Sequence, residues 1–202
     1  MTRAATPTAG QPPENIFKFS NVLPSDIRRV AVLPLASLDT RAVLLDGRDA
    51  LQPVLLAELI KTKRFEVVPV SRQVLRSKTG REFWSASDTL PADFFALLCE
   101  AYDCDAVLFA ELTEYRAYAP VAVGWRLRLV DARTRFPLWA GDELFDARRP
   151  EAQAAARRFL EPSTWFSAGS RPESGSDWAR AHSPRTLAQY AVAQMFDTLP
   201  AR

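Results

Sequence analysis

The chain has 202 residues, of which 48% are hydrophobic and 25% are charged, and its formal net charge is +2 at pH 7. That balance is ordinary for a globular protein, and the length suits one domain with a sizeable core. So small a net charge gives no support for nucleic-acid binding. No run of about 18 apolar residues is present that would span a membrane as a helix.

The amino-terminal residues are rich in Thr, Ala and Pro and contain no apolar segment of the signal-peptide type. We interpret residues 1–15 as a flexible tail and residues 16–202 as a single globular domain. An export signal would therefore have to precede Met1. Residues 15–24 carry enough apolar side chains to lie across the core as an extended segment.

Two short apolar runs predict the first strands of a sheet. Residues 28–35 form the first, and Pro34 should close it because proline donates no ladder hydrogen bond. Residues 65–70 form the second. The β-α-β spacing predicts that the two strands pair in parallel through a right-handed crossover.

The helix between these strands should begin at Asp46 or Asp49, either of which suits an N-cap, and run to about Lys61. Pro53 would then fall in the first turn if Asp49 is the cap, where its missing N–H is harmless. Asp39, Asp46 and Asp49 could instead gather as a cation site, since hard ions take several oxygen ligands. Capping explains the last two aspartates as well.

Ser71 is expected to cap a brief helix, and Pro91 to start another helix that runs towards Tyr102. Cys99 and Cys104 follow near its end, and they are too far apart to bridge if the helix continues through both. A disulfide requires the helix to break near Tyr102. Otherwise the two cysteines are buried, inert thiols.

The stretch 105–140 predicts three strands joined by short turns, which is a meander. Its first run is nearly all apolar, as in a strand buried on both faces. The second run alternates, so it should have one buried and one wet face. The expected buried set is Val123, Trp125, Leu127 and Leu129, and the wet set is Gly124, Arg126 and Arg128.

An alanine-rich helix is expected over 151–160, followed by a loop insertion at about 161–183 that carries Trp165, Phe166 and Trp178. Pro184 should start a closing helix. The predicted fold class is therefore α+β. It has the order β-α-β-α-α-β-β-β with a C-terminal helix, in which helices pack on a mixed sheet.

Four stretches, in this order, resemble a family of bacterial envelope domains. They are Arg-Val-Ala-Val-Leu-Pro-Leu at 29–35, before a helix that opens with a glycine; Lys-Arg-Phe-Glu-Val-Val at 63–68; the helix end and strand start at 101–108; and the hairpin 129–139. The family includes the curli-secretion channel subunit, the outer-membrane lipoprotein activators of penicillin-binding proteins and the amino-terminal domain of the Tol-system β-propeller protein. Where many relatives place Gly after Thr in the last hairpin, this chain has Arg135.

The resemblance implies a mixed sheet flanked by helices, export to the periplasm, frequent tethering by an N-terminal lipid, and no catalysis. A lipid-modified cysteine would have to precede residue 1. The residues agree with the absence of catalysis. His182 is the single histidine, so a His-ligated metal pair or a two-histidine zinc-helix motif cannot form. Glu111 and Glu114 should point to opposite faces of one strand, so they would not form an acid–base pair. We expect no cofactor and no metal.

Two surfaces remain as candidates for binding a partner. Arg126 and Arg128 form a basic stripe on the wet face of the meander, although such a stripe also serves solubility. Trp165, Phe166 and Trp178 resemble interface anchors, although they could fold back over the sheet.

The resemblance implies a non-catalytic periplasmic lipoprotein domain, tethered to the outer membrane, that binds an envelope protein and supports or regulates an envelope assembly or a cell-wall enzyme. One alternative is a subunit of a curli-type outer-membrane secretion channel. The other is a cytosolic small-molecule binding domain, if Met1 is the true start. No nucleic acid is expected as a partner.

Overall fold

The computed structural model describes residues 13–149 and 183–202. The predictions for the tail up to residue 12, for the helix over 151–160 and for most of the loop insertion lie outside these ranges. The elements in chain order are β1 (Ile16–Lys18), β2 (Arg29–Val32), β3 (Ala36–Ser37), α1 (Ala42–Lys61), β4 (Glu66–Pro69), α2 (Arg72–Thr79), α3 (Phe94–Tyr102), β5 (Ala106–Arg116), β6 (Ala122–Asp131), β7 (Pro137–Asp146) and α4 (Pro184–Asp197).

The strands form one mixed sheet in the order β1-β7-β6-β5-β2-β4, and β3 pairs with β5 beyond the end of β2. β2 lies between β4 and β5 and is parallel to both, so the predicted parallel pairing of β2 with β4 is confirmed. β5, β6 and β7 form the predicted antiparallel meander. The α+β fold class with a mixed sheet and a closing helix is therefore confirmed.

The sheet has two faces, each with its own apolar cluster. On the inner face, α1 packs against β3, β4 and β5, and α4 packs against β6 and β7. On the opposite face, α2, α3 and Trp84 cover, among the described residues, β2, the first half of β5 and the end of β6. The large side chains that fill the inner cluster include Trp125, Trp139, Tyr190 and Phe196, all nearly or fully inaccessible to solvent. The rest of the second face, over β5, β6 and β7, is the side predicted to be wet.

The predicted start of α1 was wrong. The helix begins at Ala42, so Asp46 and Asp49 lie inside it and cap nothing, and Pro53 lies in its interior. The buried side chains Leu44 and Leu51 extend the packed stripe toward the amino end. Most helical stability in proteins comes from packing one face, which outweighs a local capping signal.

The segment 15–24 does not cross the core. It adds the short strand β1 to the sheet edge beside β7, with Phe17 paired to Ala140. Phe17 and Phe19 remain 48% and 70% exposed, while Leu23 is buried. The backbone hydrogen bonds of an edge strand satisfy this segment although Phe17 and Phe19 stay exposed.

The stretch 101–108, which carries part of the family resemblance, connects several elements. The Tyr102 hydroxyl accepts a hydrogen bond from the Ser71 backbone N–H at 3.0 Å. Asp103 adopts a left-handed conformation, with φ 49°, and ends α3. The Asp105 carboxylate accepts two successive backbone amides at the start of β2, both at 2.8 Å. These residues fix α3, β5 and β2 relative to one another.

The hairpin between β6 and β7 is built around Asp131. Its carboxylate accepts the backbone N–H groups of Arg133 and Thr134 at 2.8 and 2.9 Å. Arg135 then adopts φ 63°, in the left-handed region that glycine enters without cost. Arg135 therefore occupies a position whose backbone conformation favours glycine.

Candidate functional site: the outer face of the meander

The candidate site is the part of the second sheet face that β5, β6 and β7 form, here called the outer face. Strand register places side chains in rows across it, because directly paired residues point the same way. One row joins Glu111, Arg126 and Asp142. A second row lies on one side of it and includes Arg128, Ala140 and Phe17. A third row lies on its other side and joins Glu114, Gly124 and Leu144.

Arg126 lies at the centre of a three-residue charge network. Its Nη1 donates to Glu111 Oε2 at 3.0 Å, and its Nε donates to Asp142 Oδ2 at 2.7 Å. The side chain of Arg126 is 36% exposed and that of Glu111 only 8%. The hydrogen bond that Arg126 donates to Asp142 raises the pKa of Arg126 most, and the charges of both carboxylates add to the increase. The network links all three strands of the meander.

Arg128 is exposed one row away and donates from Nη1 to the Ala86 carbonyl oxygen at 3.1 Å. The position of Arg126 and Arg128 on the wet face is confirmed. They do not form a purely basic stripe, however, because carboxylates from the neighbouring strands flank Arg126 on both sides. Their role in binding a partner stays a prediction. Trp165, Phe166 and Trp178 lie outside the described residues.

The prediction that Glu111 and Glu114 face opposite ways was wrong. The register between β5 and β6 shifts between Leu112 and Glu114, so Thr113 forms a bulge. An extra residue in one strand turns the following side chain back to the same face. Glu111 and Glu114 therefore both lie on the outer face. Gly124 fits beside the bulge, since a Cβ there would lie 2.4 Å from Thr113 Oγ1.

Exposed apolar side chains flank the charged row. Leu144 is 53% exposed, and Phe17 and Phe19 contribute aromatic surface at the β1 edge. Sequence analysis missed Leu144 and Asp142. Their signal was the alternation of residues 137–146, where they take the positions between the buried ones. An arginine surrounded by apolar and aromatic surface is typical of protein interfaces.

The acidic residues near α1 do not assemble a cation site. Hydrogen bonds from the backbone and side chain of Arg41 lower the pKa of Asp39. A hydrogen bond from Arg48, with a second from Arg72, lowers the pKa of Asp49. Across residues 13–149 and 183–202, no group of three or more His, Cys, Asp or Glu side chains is arranged to hold a metal ion. The described helices include none with the length and apolarity needed to cross a membrane.

No protein-family model matches this sequence, and no curated protein is similar to it at a significant level. Solved structures are similar in fold. The PelC dodecamer from Paraburkholderia phytofirmans matches with a TM-score of 0.51 at 12% identity, over 93% of this chain and 96% of that one. Lipoprotein GNA1162 from Neisseria meningitidis matches with a TM-score of 0.42 at 23% identity, over 58% and 79% of the two chains. The LpoB C-terminal domain from Salmonella enterica matches with a TM-score of 0.36 at 14% identity, over 58% and 82%. The chain therefore shares its fold with PelC over nearly the whole length of both chains.

Proposed function

We propose that the protein is a non-catalytic domain of the bacterial envelope that binds another envelope protein through the outer face of the meander. The observation that carries this proposal is the fold shared with PelC over 93% of this chain. PelC is a dodecamer, so that protein uses this fold to associate with other subunits. The proposal places the domain in the periplasm, tethered to the outer membrane by a lipid on a preceding cysteine.

The chemistry of the outer face suits association better than catalysis. Arg126 forms ion pairs with Glu111 and Asp142, so these charges are engaged in holding the three strands together. Arg128 keeps donors available beyond its bond to the Ala86 carbonyl. Leu144 adds apolar surface in the row on the other side of Arg126. A partner would therefore bury Leu144 and pair an acidic group with Arg128.

A site-specific photo-crosslinker tests this surface in intact cells. Placed at Leu144, it should capture an envelope protein on illumination. The matched control is Ile60, which is 57% exposed on α1 at the other side of the sheet, and should capture little. Equal capture from both positions, or none from Leu144, would contradict the proposal.

Charge reversal tests the arginine. Arg128→Glu should reduce the crosslinked product from Leu144 by about tenfold, because arginines at interface centres commonly contribute more than 1 kcal/mol to binding. Arg41→Glu, a reversal of an exposed arginine at the start of α1, should leave the product unchanged. If both reversals have the same effect, the loss reflects net charge rather than contact.

A second candidate function is a subunit of a self-assembling envelope ring, as in a secretion channel. The dodecameric state of PelC favours it. Light scattering of the purified full chain distinguishes the two, since a ring has a mass that is a large multiple of 22.6 kDa. A stable monomer supports a binding domain for a different protein. Fractionation that leaves the natural gene product in the cytosol would overturn both and favour the small-molecule binding domain.

A further inference from the structure

Cys99 and Cys104 lie where α3 ends and β5 is about to begin. The helix stops at Tyr102, and the left-handed turn at Asp103 reverses the chain. That break is the condition that sequence analysis set for a disulfide. The Cys104 and Cys99 Sγ atoms are 3.9 Å apart, and the Cys99 thiol donates to the Cys104 carbonyl oxygen at 3.1 Å.

Both cysteines line an open pocket of about 350 Å³, bounded by Ile27, Phe95 and Arg133. Cys99 is partly exposed, whereas Cys104 is buried. A reagent that enters the pocket therefore reaches the Cys99 sulfur first. Cys104 lies behind it, within reach of the Cys99 sulfur but shielded from the reagent.

We propose that Cys99 and Cys104 form a dithiol that an external disulfide oxidises to an intramolecular disulfide through this pocket. The Cys99 thiolate attacks one sulfur of the external disulfide, forms a mixed disulfide and releases one thiolate. The Cys104 thiolate then attacks the Cys99 sulfur and releases the second. The two cysteines lose two protons and two electrons, and the external disulfide becomes two thiols.

The geometry allows this product with a local movement. A disulfide has sulfurs about 2.05 Å apart, so the two atoms must approach by roughly 2 Å. Rotation of the Cys99 side chain away from the Cys104 carbonyl oxygen is the local movement that would bring the sulfurs closer, because Cys99 lies in the last turn of α3 and lines the pocket. The turn at Asp103 keeps the two backbones close, so β5 need not shift.

The surroundings determine which cysteine reacts first and how fast. Burial raises the pKa of Cys104 to about 12, with a smaller contribution from the neighbouring Cys99. Burial also raises the pKa of Cys99, and the carboxylates of Asp105, Asp103 and Asp131 add to the effect. Exchange depends on the thiolate, so oxidation at neutral pH is slow without a catalyst. Once Cys99 is in a mixed disulfide, its contribution to the Cys104 pKa is gone, which eases the second step.

The experiment uses the purified, reduced full chain, incubated without oxygen in a buffer of oxidised and reduced glutathione until no further change occurs. The protein is then acid-quenched, unfolded, alkylated and weighed by mass spectrometry. Oxidation should lower the mass of the wild-type protein by about 2 Da and leave neither thiol open to alkylation, as the formation of one disulfide requires. Cys104→Ala should trap one glutathione on Cys99, and Cys99→Ala should react far more slowly.

Three results would overturn the proposal: two free thiols in wild type at equilibrium, a stable glutathione adduct on wild-type Cys99, or disulfide-linked dimers. Near-ultraviolet circular dichroism checks that both alanine variants fold, and Cys104→Ser is a second choice at the buried position. The inference does not rest on the proposed function. The assay needs neither export nor a partner, so its failure leaves the crosslinking experiment unaffected.

Discussion

Gly47 gives the sharpest test of how α1 is held on the sheet. It lies in α1 and is buried where the helix crosses β5. A Cβ at this position would lie 2.5 Å from both Cγ and Cδ1 of Tyr115, and 3.0 Å from Leu112 Cδ2. Carbon atoms in contact normally stand about 3.5–4.0 Å apart. The overlap is therefore about 1 Å with the ring.

Two effects of Gly47→Ala oppose each other. Alanine in a helix interior gains about 1 kcal/mol over glycine from propensity. Overpacking a tight contact costs about 1–3 kcal/mol. The clash includes Cγ of Tyr115, which ring rotation does not move, so the ring must leave its χ1 well or the helix must shift. We expect the cost to exceed the gain, with a net loss of up to about 2 kcal/mol.

Urea unfolding, followed by circular dichroism, measures this loss. The double variant Gly47→Ala, Tyr115→Ala should recover it, because removing the ring opens the space, and the coupling should exceed about 1 kcal/mol. Gly80→Ala is the matched control: Gly80 has nothing within 4 Å of a Cβ but a φ of +82°. The stability lost in Gly80→Ala should be the same with and without the Tyr115 ring. Contact with Tyr115 is not the reason for the glycine if Gly47→Ala raises stability. The same holds if Gly47→Ala lowers stability as much in the Tyr115→Ala background as in wild type.

Three further predictions concern single residues, each measured by the urea midpoint. Arg135→Gly should stabilise the protein by about 0.5–1 kcal/mol, because φ 63° strains a side chain but not glycine; no gain would mean that the bond from Arg135 to the Ala92 carbonyl offsets the strain. Arg126→Met should cost about 1–2 kcal/mol by leaving the buried Glu111 carboxylate without its cation, and Glu111→Gln should recover part of this; an unchanged loss would contradict the pairing. The hydrogen bond from Arg48 holds the pKa of Asp49 below 3.8 in the folded protein. The small contribution of this carboxylate to folding stability is therefore present above that pH and is lost as pH falls through the lower folded pKa. Asp49→Asn should make folding stability fall less steeply as pH is lowered, and a steeper fall would contradict this reasoning.

The meander could be predicted from the sequence because period-two alternation is a local signal. Trp125 and Arg126 point opposite ways as neighbours in any strand must, and burial assigns the apolar one to the core. The bulge at Thr113 could not be predicted in this way. An extra residue in β5 is defined only by its pairing with β6, and it reverses the side that Glu114 faces. The start of α1 escaped prediction for a related reason, since contacts with β5 determine it.

The site was predicted only in part. The position of Arg126 on the wet face follows from alternation alone. Its two carboxylate partners, however, are 15 and 16 residues away along the chain, on two other strands. They become neighbours only once the register of both hairpins is fixed, and turn geometry together with bulges fixes it. A row of charges across a sheet is therefore a property of pairing, and no single strand contains it.

The residues that carry the family resemblance explain why fold is easier to infer than the partner. The side chains of Tyr102, Asp105 and Asp131 all accept backbone N–H groups, at the junction of α3 with β5 or within the last hairpin. Such bonds hold strands and helices in place whatever the protein binds. Arg128 and Leu144 lie elsewhere, exposed on the outer face, where most substitutions change stability by no more than about 0.5 kcal/mol. The proposed function therefore predicts that variants at these two positions change binding while the unfolding midpoint stays the same.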